Sequence, residues 1–251
     1  MDVFGIIVIL VAGFAGGFTN AVSAAGSLFT LPAFIFAGLT PAEANATNRI
    51  AILAQNFSSI TTFRKSGVVH DNYVFWLSLA TLPGALIGAW FSLKIPDELF
   101  TKILSVVMIV FLVITILNPL KSNANASQER NGKWHKTIGV ITYFFIGIYG
   151  GFIQAGSGFF IMAGCLLINR FDIVKTNYFK AVIMFSYTLA ALTIFVWKGN
   201  VFWLHGILMA AAMSAGAYVG VKWSIKASEV WIKRVIIFLI LCMSLYLWFL
   251  K

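Results

Sequence analysis

"GGFTNAVSAAGSLFTLP" (Gly16–Pro32) is echoed by "GGFIQAGSGFF" (Gly150–Phe160), and reading the two together decides the fold. Each opens Gly-Gly-Phe and carries an amide two residues after the Phe, Asn20 and Gln154. Each then reaches Gly-Ser, at Gly26-Ser27 and Gly156-Ser157, before apolar residues resume. The same small and polar residues interrupt apolar runs at matching points in the two halves of the chain.

What they interrupt is set by the composition. Of 251 residues, 60% are hydrophobic and only 10% charged, with mean hydropathy +0.92. Soluble domains carry about a quarter charged residues. Ten apolar segments recur, at about 3–22, 26–38, 47–64, 73–93, 98–118, 137–155, 157–169, 176–197, 201–221 and 231–250. Eight are long enough to span hydrocarbon; the second and seventh, at roughly 13 residues, fall short of the ~17 a full helix needs. The chain therefore reads as an all-α polytopic membrane protein of about ten segments, with no stretch left over for a soluble domain.

The net charge of +10 comes from bases in short loops between apolar segments. That pattern fits membrane topology and a bilayer partner with anionic lipid, and not a nucleic acid. Cys165 and Cys242 both lie in apolar runs and read as small buried hydrophobes. The N-terminal stretch lacks the positive flank of a secretory signal, since its only early charge is Asp2, so it reads as a retained first helix.

The halves are copies. "ANATNRIA" (Ala44–Ala51) finds its counterpart in "IVKTNYFKA" (Ile173–Ala181), with Thr-Asn shared at Thr47-Asn48 and Thr176-Asn177. "RKSGVV" (Arg64–Val69) and "WKGNV" (Trp197–Val201) follow as Lys-containing glycine turns. The offset is 134 residues at Gly16/Gly150, 130 at Gly26/Gly156 and 129 at Thr47/Thr176, so the first half holds about one extra helical turn between Phe18 and Gly26. Five segments per copy is odd, which predicts inverted repeats: residues 1–120, a polar cytoplasmic linker at 121–136, and residues 137–251. With ten crossings, thirteen of the 18 Lys and Arg fall on one face; only Arg49, Lys94, Lys102, Lys198 and Lys251 fall on the other. The richer face should be cytoplasmic, placing both termini outside.

Irregular backbone persists in hydrocarbon only where it is enclosed by protein or lines a wet cavity. A half-helix beginning at each Gly-Ser would present free N–H groups and partial positive charge to an anion, with Ser27 and Ser157 placed to cap or to contact it. Glycine and serine also serve tight helix packing, which is the competing explanation for either motif alone.

The paired motifs, with "GLTPAEANATN" in the first half and "VKTN…KGNV" in the second, resemble the TauE/SafE sulfite exporter family of bacterial membrane proteins over essentially the full chain. The family often carries Gly-Gly-Gly in the first motif, where this chain reads Ala25-Gly26-Ser27. The resemblance implies export of a small sulfur-containing anion, sulfite or an organosulfonate, across the plasma (inner) membrane.

Candidate substrate-binding residues are Asn20, Gly26, Ser27, Thr47, Asn48 and Arg49 in the first half. In the second they are Gln154, Gly156, Ser157, Thr176, Asn177 and Lys180. Arg49 and Lys180 each bring a cation beside a Thr-Asn pair at the start of a segment, either to attract an anion or to snorkel to headgroups. Gln55 and Asn56 could join them, or could hydrogen-bond between helices. All eight acids fall in loops or at segment ends, so no deep carboxylate for proton or sodium coupling is evident. No P-loop, nucleophile–base set or metal-ligand spacing occurs, so no cofactor, no metal and no enzymatic activity are implied. A channel built from the same broken helices stays open as an alternative to a carrier, and an embedded enzyme is the remoter one. The sequence does not fix the oligomeric state.

Overall fold

A computed structural model describes residues 3–23, 26–68, 71–117 and 132–225. The tenth segment, Cys242 and most of the 121–136 linker lie outside these. Every element among the described residues is helical: α1 (Val3–Ser23), α2 (Ser27–Phe36), α3 (Pro41–Lys65), α4 (Tyr73–Ser92), α5 (Asp97–Leu117), α6 (Lys133–Phe152), α7 (Ser157–Ala163), α8 (Ile173–Trp197) and α9 (Trp203–Ser224). A π-helical stretch, Gly164–Asn169, continues α7. Four of the helices, α1, α4, α8 and α9, are long and apolar enough to cross a membrane.

The two short elements begin where the repeated motif ends. Gly26 precedes α2 and Gly156 precedes α7. Gly156 takes φ +74, a left-handed turn that side-chain-bearing residues resist. Gly26 is an ordinary right-handed residue, but a Cβ there would strike the Gly16 carbonyl and Asn20. One glycine is required by conformation and the other by space. The extra turn expected in the first half is also present: α1 runs on to Ser23, whereas α6 stops at Phe152, the counterpart of Phe18.

One boundary needs correction. α3 starts at Pro41, not near residue 47, because Thr40 and Glu43 form a reciprocal capping box with proline at the first helical position. Its first two turns are too polar to read as a membrane segment, yet they lie inside the protein. Thr47, Asn48 and Arg49 therefore sit well within the helix. α8 starts at Ile173, where the Asp172 carboxylate accepts from the N–H groups of Val174 and Lys175, both at 2.9 Å. That places Thr176 in its first turn and Lys180 two turns in.

Small residues set the packing. α1 lies against α9, where a Cβ on Gly17 would enter the Met213 backbone and one on Gly216 would enter Phe14. α4 lies against α6, where a Cβ on Gly151 would enter the Ala85 backbone and one on Gly88 would enter Ile148. Moving α1 residues forward by 134 (14 to 148, 17 to 151) and α9 residues back by 128 (216 to 88, 213 to 85) turns the first set of contacts into the second. Close backbone approach of this kind drives helix association in a solvent that supplies no hydrophobic force.

The contacts also fix direction. α1 and α9 advance together from Gly13/Met209 to Gly17/Met213, and α4 and α6 from Thr81/Gly147 to Ala85/Gly151. α3 runs with α9: Thr47 meets Phe202 and Ser58 meets Ser214. α4 runs with α8, from Tyr73/Phe171 to Trp90/Trp197. α3 opposes α8, since Arg49 meets Phe195, Phe57 meets Phe185 and Arg64 meets Tyr178. So α1, α3 and α9 share one direction, and α4, α6 and α8 share the other.

Loops gather at two ends. At one end Lys175 pairs with Asp71 at 3.1 Å and Lys136 lies over the Tyr73 ring. Burial alone would raise the Asp71 carboxyl, but the Tyr73 N–H and Lys175 outweigh it and hold it below the usual range. At the other end Trp90 stacks on Trp197, and Lys94 and Lys198 both reach the Trp90 ring.

Candidate functional site

The site is built on the ends of the two first-in-half helices, where their carbonyls lose helical partners. Arg49 projects from α3 onto the end of α6. Its guanidinium donates to the carbonyls of Gly150 (3.2 Å) and Gly151 (2.6 Å) and to Gln154 Oε1 (3.0 Å), and lies 4.6 Å over the Phe195 ring. Asn45, one turn earlier on the same helix, bridges the break: it donates to the Phe152 carbonyl and accepts from the Gln154 N–H, both at 3.2 Å. A cation at a helix C-terminus is favoured by the helix dipole, so these contacts offset part of the cost of burial.

Lys180 on α8 does the same for α1. Its ammonium donates to the Asn20 carbonyl (2.6 Å) and to Asn177 Oδ1 (2.9 Å). Arg49 is 0% and Lys180 2% exposed, so neither snorkels to the surface. Among the described residues neither has a carboxylate partner. Each half thus lends a buried cation to the broken helix of the other half.

Both amides after Gly-Gly-Phe reach the middle of the long helix in their own half. Asn20 donates to Gln55 Oε1, and Gln55 donates to Ser59 Oγ at 3.1 Å. Gln154 Nε2 donates to the Tyr187 hydroxyl (3.0 Å) and to Thr188 Oγ1 (3.2 Å). Ser157 Oγ donates to the Gln154 carbonyl at 2.8 Å and lies 2.6 Å from the Tyr187 hydroxyl. Ser59 and Thr188 stand 129 residues apart, the offset of the Thr-Asn pairs, so the two networks are counterparts.

Eight of the twelve candidate residues therefore form two clusters. Arg49 joins Gln154 and, through Tyr187, Ser157, next to the Gly156 turn. Lys180 joins Asn177 and Asn20, and the Asn20 side chain lies beside the spot a Gly26 Cβ would fill. Ser27 and Ser157 are buried, but neither caps its helix. Thr47 is engaged elsewhere, its Oγ1 accepting from the Phe202 N–H ahead of α9 at 3.1 Å. Buried and without a hydrogen-bond partner among the described residues are the Thr176 hydroxyl, both side-chain polar atoms of Asn48 and of Asn56, and Arg49 Nε. Sequence reasoning missed Asn45, Ser59, Tyr187 and Thr188. Asn45 was visible in the polar "PAEANATNR" run once that run is read as helix, whereas Tyr187 and Thr188 carry no signal within their apolar surroundings.

Known proteins resemble this chain along nearly its whole length. The family model described as Sulfite exporter TauE/SafE matches residues 9–247. Probable membrane transporter protein ORF9 of Sinorhizobium sp is 24% identical over 95% of this chain and 90% of its own length. A Probable membrane transporter protein of Haemophilus influenzae is 22% identical, covering 94% and 92%. Probable membrane transporter protein YfcA of Escherichia coli K12 is 23% identical, covering 91% and 84%. No solved structure matches.

Proposed function

We propose, from the premise that this chain belongs to the sulfite exporter TauE/SafE family, that it carries a small sulfur-containing anion out across a bacterial plasma membrane. Membrane transport is common to the printed names of its relatives. Sulfite or an organosulfonate is the cargo. The observation that carries the reading is the pair of buried cations, Arg49 and Lys180, each hydrogen-bonded to carbonyl and amide oxygens and, among the described residues, to no carboxylate. A desolvated cation with no acid to balance it gains from an arriving anion. The anion is held near the midplane between the two glycine-broken motifs.

In this reading residues 1–120 and 137–251 are inverted repeats of five segments. The helix directions support it, because each of α1, α3 and α4 points opposite to its counterpart α6, α8 or α9. Such an arrangement suits alternating access, in which one repeat rocks against the other around the site. The end carrying Arg64, Lys136 and Lys175 is cytoplasmic and both termini are outside. Cysteines at Asn125 and Ser228, outside the described residues, should label only from the cytoplasm; labelling of either from outside intact cells overturns this orientation.

The deciding experiment is flux in liposomes containing the purified chain. Saturable uptake of sulfite or an organosulfonate with counter-exchange is expected, weakened in Arg49→Lys, which keeps the charge but loses the planar fork. Current without exchange would make the protein a channel. Absence of flux for any sulfur anion would overturn the cargo.

A further inference from the structure

Asn48 and Asn56 are fully buried on α3, and all four of their side-chain polar atoms lack a hydrogen-bond partner among the described residues. Leaving such a group unpaired is destabilising, and buried orphans call for an explanation. Gln55, next to Asn56 on the same helix, is by contrast engaged at both polar atoms, accepting from Asn20 and donating to Ser59.

Their placement points to a ligand. Asn56 lies seven residues, about two turns, from both Arg49 and Phe63, so the three share one face of α3. That face meets α8, since Arg49 covers Phe195 and Phe63 packs edge-on to Tyr178. The Phe57–Phe185 contact sets the level, putting Asn56 beside the stretch of α8 that holds Tyr187 and Thr188. Asn48 stands next to Arg49, whose Nε–H is also unpartnered, and seven residues from Gln55 on the face toward α1. The two amides are eight residues apart, about 12 Å along the helix, too far for one small anion to bridge.

We infer that α3 lines the transport path and carries two successive ligand stations, Asn48 and Asn56, for a singly charged oxyanion that still bears a hydrogen. This rests on the sulfur-anion reading above. Each carboxamide offers two N–H donors and one carbonyl acceptor. The donors take the anion's oxygens, while the carbonyl needs an O–H or N–H from the ligand. A fully deprotonated dianion leaves that carbonyl unpaired and repels it. The base beside Asn48 is Arg49, and one guanidinium balances one negative charge. Hydrogensulfite meets these terms, as does a sulfonate that carries a hydroxyl group.

The test compares flux of hydroxymethanesulfonate, methanesulfonate and sulfate through the full chain in liposomes. The first two are monoanions differing by one hydroxyl. Hydroxymethanesulfonate is expected to move about tenfold faster than methanesulfonate, the weight of one hydrogen bond, and sulfate slowest. Asn56→Leu should erase the preference while leaving the thermal midpoint unchanged or higher, because an apolar isostere removes an unpaired amide. A residue serving structure alone would lose stability instead. Asn48→Leu is the parallel variant, expected to do the same. Methanesulfonate or sulfate moving as fast as hydroxymethanesulfonate overturns the hydrogen-bearing ligand but leaves sulfur-anion transport standing. Undiminished preference in both variants overturns the stations. No flux of any of these or of sulfite overturns the transport reading, and the stations with it.

Discussion

α3 and α8 are counterparts of equal length, 25 residues each, crossing at the centre of the protein, yet they bury different chemistry. Eight of the thirteen buried residues of α3 are polar: Asn45, Thr47, Asn48, Arg49, Gln55, Asn56, Ser59 and Thr62. α8 buries Thr176, Asn177, Lys180 and Thr188 among aromatic and aliphatic side chains. Only α8 is apolar enough to qualify as a membrane span by composition. A helix this polar is stable at membrane depth only when other helices shield it from lipid. The α1–α9 and α4–α6 contacts match between the halves, whereas the buried polar residues are concentrated on α3.

The largest expected effect tests whether the two cations are unequal. Arg49→Met removes donors from two carbonyls and Gln154, and should destabilise the protein by about 3–5 kcal/mol, given 1.5–3 per hydrogen bond to a charged group and imperfect additivity. Lys180→Met frees one carbonyl and one amide oxygen and should cost about 2–3 kcal/mol on the same basis. Thermal unfolding in detergent ranks them; a larger loss for Lys180→Met would break the asymmetry between the halves.

Next comes the shared scaffold. Gly17→Leu and Gly151→Leu each push a side chain into the backbone of a partner helix, Met213 or Ala85. Both should cost at least the ~1–3 kcal/mol of an overpacked core, and by similar amounts. Unequal losses, measured the same way, would show that matched contacts are not matched in energy.

The two glycines before the short helices sharpen the comparison further. Gly156→Ala should cost about 1–2 kcal/mol for its left-handed backbone, and Gly156→Asn less, because asparagine enters that region more readily. At Gly26 the order should reverse, since space rather than conformation is limiting there and the larger residue fits worse. Transport and stability of the four variants decide it.

The smallest effect lies at the surface. Asp71→Asn breaks the ion pair with Lys175, which is partly exposed and worth less than ~1 kcal/mol. The Asp71 carboxyl is held below its usual range in the fold. Its contribution is therefore full above the unfolded carboxyl value of about 3.9 and fades as pH falls through the lower folded value. Asp71→Asn should flatten the acid limb of the stability profile slightly; an unchanged limb would leave the pair with no stabilising role.

The sequence by itself determined that the chain is a helical, multi-pass membrane protein and where two of its apolar runs are interrupted. Backbone groups in lipid demand long apolar helices, so run length and the Gly-Ser interruptions are local and legible, and duplication makes them appear twice. It misplaced the start of α3, because counting apolar residues cannot detect a polar helix that protein, not lipid, surrounds. It named Arg49, Lys180 and Gln154 but did not match the two cations to the carbonyls that hold them. Those partners lie about 100 to 160 residues away, at Gly150, Gly151 and Asn20, and are chosen only when small residues let α1 close on α9 and α4 on α6. Only tertiary structure could decide that each half's cation serves the other half, because a side chain's partner is fixed by how helices pack, not by its position along the chain.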